Sequence, residues 1–172
     1  RQFLLTLWNT YSFWVLYANA DGDASKQQQQ AESMLTQGVK VLVLDPFDGE
    51  AAASIVGEAK AKNVPVISYD RLINSPDSDY YISFDNEKVG QLQGQALVDK
   101  LKKDGVPSGS GILMVNGSPT DNNATLFAQG YNGVLKPLFD NNSWVKVGEP
   151  AGTWTPSVAA TTFDQQYTAH KN

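Results

Sequence analysis

The chain has 172 residues, 41% of them hydrophobic and 18% charged, which suits one α/β domain or one domain and part of another, since domains run to roughly 100–200 residues. A net charge of -5, from 18 acidic against 13 basic side chains, argues against a nucleic-acid partner, because phosphate binding needs clustered lysine and arginine. There is no cysteine, which excludes disulfides and thiolate metal sites, and the single histidine, His170, sits near the C-terminus as surface decoration.

The apolar stretch from Phe3 to Ala18 is interrupted by Asn9, Thr10 and Ser12. It falls short of the roughly 20 apolar residues a membrane helix needs, lacks a clear small-residue cleavage site, and reads as mature chain. From about residue 15 onward, β-branched runs alternate with stretches of helical period, the pattern of a parallel sheet with crossover helices. Strands are predicted at Val15–Ala18, Val39–Leu44, Val64–Tyr69, Tyr80–Phe84, Ile112–Val115 and Trp144–Val147. Helices are predicted at Ala24–Gln37, Glu50–Lys62, Asn86–Lys103, Asn122–Phe139 and from Pro156 to the C-terminus. The fold class is α/β, a doubly wound parallel sheet.

Asp21-Gly22-Asp23 reads as a turn with a helix cap, since the oxygen ligands of a calcium loop do not continue beyond it. The run Gln27 to Gln30 reads as the solvated face of the first helix. Gly38 and Gly105 occupy helix C-cap positions, and Asp85 or Asn86 caps the third helix at its start. In that helix Val89, Leu92, Ala96 and Leu97 form an apolar stripe, and Lys100 to Lys103 mark a solvated end. A domain boundary, if the chain has one, falls after Val115, where Asn116-Gly117-Ser118-Pro119 ends a strand.

Ligands of open parallel sheets bind beyond the carboxyl ends of the strands. The residues there are Asp45-Pro46-Phe47-Asp48, Asp70-Arg71, Asp85-Asn86 and Ser118 to Asn123. No dinucleotide fingerprint, Walker loop or nucleophile elbow accompanies them. Asp45 and Asp48 read as loop carboxylates or a helix cap rather than an acid/base pair. Asp121-Asn122-Asn123 offers acceptors and donors that match a sugar hydroxyl, and equally reads as a helix N-cap. Arg71 offers a fork of donors, or a salt bridge to Asp70 or Asp77. Trp154, in a loop flanked by Gly152 and Pro156, either covers the apolar face of a sugar or packs between layers.

Three strings, Val64-Pro-Val-Ile-Ser-Tyr-Asp-Arg-Leu-Ile-Asn74, Tyr81-Ile-Ser-Phe-Asp-Asn-Glu-Lys-Val-Gly90 and Gly117-Ser-Pro-Thr-Asp-Asn-Asn-Ala-Thr-Leu-Phe127, resemble the D-xylose-binding proteins of ABC sugar transporters. The resemblance covers roughly Val15 to the C-terminus. It implies a type I periplasmic-binding fold, here the first lobe (residues 1–115, with 1–14 unmatched) plus crossover and partial second lobe (116–172). It implies that Arg71, Asp121 and Asn123 hydrogen-bond a pentose and that Trp154 stacks on it. It also implies a non-enzymatic protein without cofactor or metal, exported with its signal peptide removed, periplasmic or extracellular, and serving a membrane permease without itself inserting in the membrane. Residues 1 to 13 depart from the family pattern, so Trp8 and Trp14 receive no sugar contact, and the family's chain continues well beyond Asn172. The rival readings are the ligand-binding core of a sugar-responsive regulator or chemosensory protein, and a sugar-metabolising enzyme on a doubly wound sheet.

Overall fold

A computed structural model describes residues 15–170. In chain order the elements are α1 (Ala24–Thr36), β1 (Leu42–Leu44), α2 (Ala53–Ala61), β2 (Val66–Tyr69), β3 (Tyr80–Ile82), α3 (Asn86–Lys103), β4 (Gly111–Leu113), α4 (Asn122–Asp140), β5 (Val145–Gly148) and α5 (Pro156–Ala169). The expected strand at Val15–Ala18 is not formed, and the expectations for residues 1–14 lie outside the described residues.

Local signals set the helix ends. Asp23 caps α1 by accepting from Lys26 N at 2.9 Å, and Asp85 caps α3 by accepting from Lys88 N at 2.9 Å. Gly38 and Gly105 follow their helices at φ 81° and 65°, left-handed backbone that costs glycine little.

The strands form two parallel sheets, one of order β1-β2-β3 and one of β4-β5. In the first, Leu42 pairs with Val66 and Leu44 with Ser68, which puts these residues on one face. That face is covered by Ala31 and Leu35 of α1 and by Ile55, Val56 and Ala59 of α2. Its opposite face carries Val43, Ile67 and Tyr80 in one cross-strand row, and Val43 and Tyr80 are exposed. Near the second sheet, Val98, Ile112, Met114, Tyr131, Leu135 and Trp144 form a separate core. In the second sheet β4 pairs with β5.

Helices α3 and α4 touch through their backbones. A Cβ placed on Gly90 would lie 2.2 Å from Phe127 O, and one on Gly130 would lie 2.1 Å from Glu87 O. The buried face of α3 is accordingly Asn86, Gly90, Gly94 and Val98, while Leu92 is 58% exposed. This corrects the stripe expected from apolar residues alone: close helix approach selects small residues, which carry no hydrophobic signal.

The glutamine run also differs from expectation. Gln27 donates to Asp45 O at 2.8 Å and accepts from Phe47 N at 3.0 Å, clamping the loop after β1 onto α1. Gln28 reaches Glu58 on α2 at 2.6 Å, and Gln30 donates to Asn19 O at 2.9 Å. Amide side chains that both donate and accept can satisfy loop backbone that no strand partner reaches.

Candidate functional site

The carboxyl ends of the two sheets face each other, and Gly49 N donates to Thr120 O at 3.2 Å across them. On the first side, β2 ends in a sharp turn. Asp70 takes left-handed backbone at φ 61°, a conformation that aspartate tolerates better than most residues. Ser68, fully buried, donates to Arg71 O at 2.6 Å and accepts from Ile73 N at 2.9 Å, so its hydroxyl locks that turn. Arg71 is thereby aimed at the second side.

There it meets Asp121. Arg71 Nε lies 3.2 Å from Asp121 Oδ2, and Trp154 Nε1 donates to the same oxygen at 2.8 Å. Asp121 Oδ1 accepts from Asn123 N at 2.9 Å, so the residue also caps α4. The N-cap expected of this motif is formed, and the same side chain also meets Arg71 and Trp154. Asn123 Nδ2 donates to Asp70 O at 3.1 Å, and its Oδ1 accepts from Asn86 Nδ2 at 2.8 Å. Arg71 and Trp154 thus both meet Asp121, and Asn123 ties this cluster to the turn after β2. The salt bridges considered for Arg71 from sequence are not the ones formed: Asp77 pairs with Lys60. Two open grooves, between α3 and α4 and at the amino end of β2, lie away from this cluster.

Burial divides the four residues. Asp121 and Asn123 are 2% and 5% exposed, whereas Trp154 is 46% exposed. The indole rests on Gly117, where an added Cβ would come within 2.2 Å of the ring, and Phe127 meets it edge-on with centroids 6.4 Å apart. Gly152 is needed for the same seat, since its Cβ would lie 2.2 Å from Asn116 O. Sequence reasoning did not single out Gly117, Gly152 and Phe127 here; Gly152, two residues before the tryptophan, was the available signal.

Asp48 accepts from Glu50 N and Ala51 N at 2.9 Å each, holding the turn that leads into α2, whose own N-cap is Ala52. Asp45 differs. Its carboxylate stands 4.0 Å from Arg71 Nε. Although over half of the side chain is exposed, partial desolvation where it enters the crevice raises its carboxyl above the ordinary carboxylate range; Arg71 opposes this, and the nearby Asp70 and Asp121 add to it.

Behind the tryptophan loop, Tyr131 of α4 donates to Glu149 Oε1 at 2.7 Å and lies against Asn116 Oδ1, joining the ends of β4 and β5. Asn132 donates to the same Glu149 oxygen at 3.0 Å, and Lys146 pairs with the other. Burial alone would raise the Glu149 carboxyl, but the hydrogen bonds from Lys146, Tyr131 and Asn132 outweigh it and hold the value at about 2, against an ordinary 4.5. The unfolded chain therefore takes up this proton first on acidification. Stability contributed by Glu149 is complete above about pH 4.5 and is lost as the pH falls through about 2. Between pH 7 and pH 3 the free energy of unfolding in urea should fall by about 2 kcal/mol more for the native protein than for Glu149→Gln. Equal acid sensitivity would contradict the network.

Residues 8–172 match the periplasmic binding protein domain family. The chain belongs to that family. It is 44% identical to the D-xylose-binding periplasmic protein of Escherichia coli (strain K12) over 92% of this chain and 46% of that protein. It is 41% identical to a multiple sugar-binding periplasmic receptor of Rhizobium radiobacter over 87% of this chain and 45% of that one. An ABC transporter solute-binding protein from Clostridium phytofermentans, solved with β-D-glucose bound, superposes with a TM-score of 0.83 at 32% identity, covering 96% of this chain and 53% of that one. The fold is that of these type I binding proteins, and the chain spans about half the length of the curated relatives it matches. The family match begins at residue 8, further toward the N-terminus than the resemblance at Val15 suggested.

Proposed function

We propose that this chain is part of a sugar-binding protein of the cell envelope, periplasmic or extracellular, that holds a neutral sugar at the crevice between its two sheets and delivers it to the permease of an ABC importer. Its role is binding, not catalysis. The observation that carries the reading is the convergence of Arg71, Asp121 and Trp154, with a half-exposed indole lying beside a guanidinium at the carboxyl ends of both sheets. An aromatic face covers the C–H face of a sugar, and the remaining guanidinium N–H groups donate to its hydroxyl oxygens. Asp121 and Asn123 complete the site chiefly by holding Arg71 and Trp154 in place.

D-xylose is the first candidate, supported by 44% identity to the Escherichia coli protein of that name. The separate cores around β1-β2-β3 and around β4-β5 support a two-lobed protein. No helix among the described residues is long and apolar enough to cross a membrane, so contact with a permease falls to the protein surface.

Calorimetric titration with D-xylose, L-arabinose, D-ribose and D-glucose, with and without a chelator, tests the proposal. Saturable binding that favours D-xylose and ignores the chelator is expected, since sites built on hydroxyl hydrogen bonds reject analogues that leave buried groups unpaired. Absence of binding to every sugar, or binding that needs a metal, would overturn it.

A further inference from the structure

Sugar hydroxyls donate as well as accept, so a sugar site needs acceptors that the protein has not already used. Asp121 and Asn123 do not supply them freely. Asp121 Oδ2 already takes Arg71 Nε and Trp154 Nε1, its Oδ1 takes Asn123 N, and the residue is 2% exposed. Asn123 Oδ1 takes Asn86 Nδ2 at 2.8 Å and Tyr81 Oη at 3.4 Å. Both are largely spent on holding the site together.

Asp45 is not. It follows β1 directly, on the strand next to the one that carries Arg71, and its side chain is 57% exposed. At 4.0 Å from Arg71 Nε it is beyond hydrogen-bond reach, and among the described residues its carboxylate accepts no hydrogen bond. Its position is nonetheless built. Pro46 is fully buried, and Gln27 grips the backbone on either side, at Asp45 O and Phe47 N.

Resting on the sugar-binding reading above, we propose that Asp45 is the group that accepts hydrogen bonds from the ligand's hydroxyls and so determines which hydroxyls the crevice reads. Carboxylate and guanidinium stand side by side as acceptor and donor, the complement of two adjacent hydroxyls of a neutral sugar. A ligand that is itself a carboxylate is repelled at this wall by Asp45, Asp70 and Asp121.

The test is calorimetry with D-xylose and its 2-, 3- and 4-deoxy analogues on the native protein, Asp45→Ala and Asp45→Asn. Asp45→Ala should weaken D-xylose binding roughly 10- to 100-fold, as loss of a charge-assisted hydrogen bond does, with Asp45→Asn between. One deoxy analogue should bind the native protein and Asp45→Ala equally, because the hydroxyl that Asp45 reads is already gone from it. The melting temperature should not move, since the side chain is exposed and unbonded. Native binding of D-xylose with Asp45→Ala within twofold of it would overturn the role of Asp45 alone, as would an equal loss across all three analogues. Failure of the native protein to bind D-xylose or any analogue would overturn the sugar-binding reading and this role with it.

Discussion

Asp121→Ala should cost about 3–5 kcal/mol of stability and at least a hundredfold in sugar affinity. The carboxylate is 2% exposed and serves a guanidinium, an indole N–H and a helix N-terminus together. Removing one partner of a buried ion pair leaves the other charge uncompensated, which is the expensive case, and loss of the cap adds about 1 kcal/mol. Arg71 would keep only Asp45 at 4.0 Å and Phe47 O at 3.2 Å. Asp121→Asn keeps one oxygen, enough for the cap or for Arg71 and Trp154 but not for both, so it should lose less stability than Asp121→Ala while still losing affinity. Urea unfolding and calorimetry on both variants read the two effects. A stable Asp121→Ala with normal affinity would mean that the cluster is decoration.

Gly130→Ala should unfold the second core, with a loss of 3 kcal/mol or more. Alanine is the better helix former by about 1 kcal/mol, so the sign depends on whether its Cβ fits. It does not: Glu87 O at 2.1 Å, Gln91 N at 2.6 Å and Gly90 C at 2.8 Å are all backbone atoms that no rotamer change can move. Relief requires α3 and α4 to separate, opening the cluster of Val98, Tyr131 and Leu135. Gly133→Ala is the control, because nothing lies within 4 Å of its Cβ, and it should stabilise by up to about 1 kcal/mol. Thermal unfolding of the pair checks this; similar melting temperatures would refute the close packing of the two helices.

What the sequence revealed and what it concealed follow from the range of the interactions. The caps Asp23 and Asp85 and the glycines Gly38 and Gly105 act within one helical turn, so their residue types announce them. Strand pairing does not. The run at 111–113 looks like any buried strand, and only its partner β5 shows which sheet it joins. For Arg71 the nearby Asp70 and Asp77 were the visible candidates, yet the left-handed turn at Asp70 carries the guanidinium to Asp121, far along the chain. Gln27 was hidden because an amide on a solvated face and one clamping a loop have the same sequence. The motif around Arg71 stood out because it follows β2 directly, and that around Asp121 because it carries the residue types of a helix N-cap.

A crystal structure of the protein grown with D-xylose tests the central claim most directly. The sugar should lie between the two sheet ends, its C–H face on Trp154, with Arg71 donating to a ring or hydroxyl oxygen and the Arg71–Asp121 and Asp121–Trp154 contacts unchanged. A sugar bound elsewhere, or one in the crevice that touches neither Arg71 nor Trp154, would contradict it.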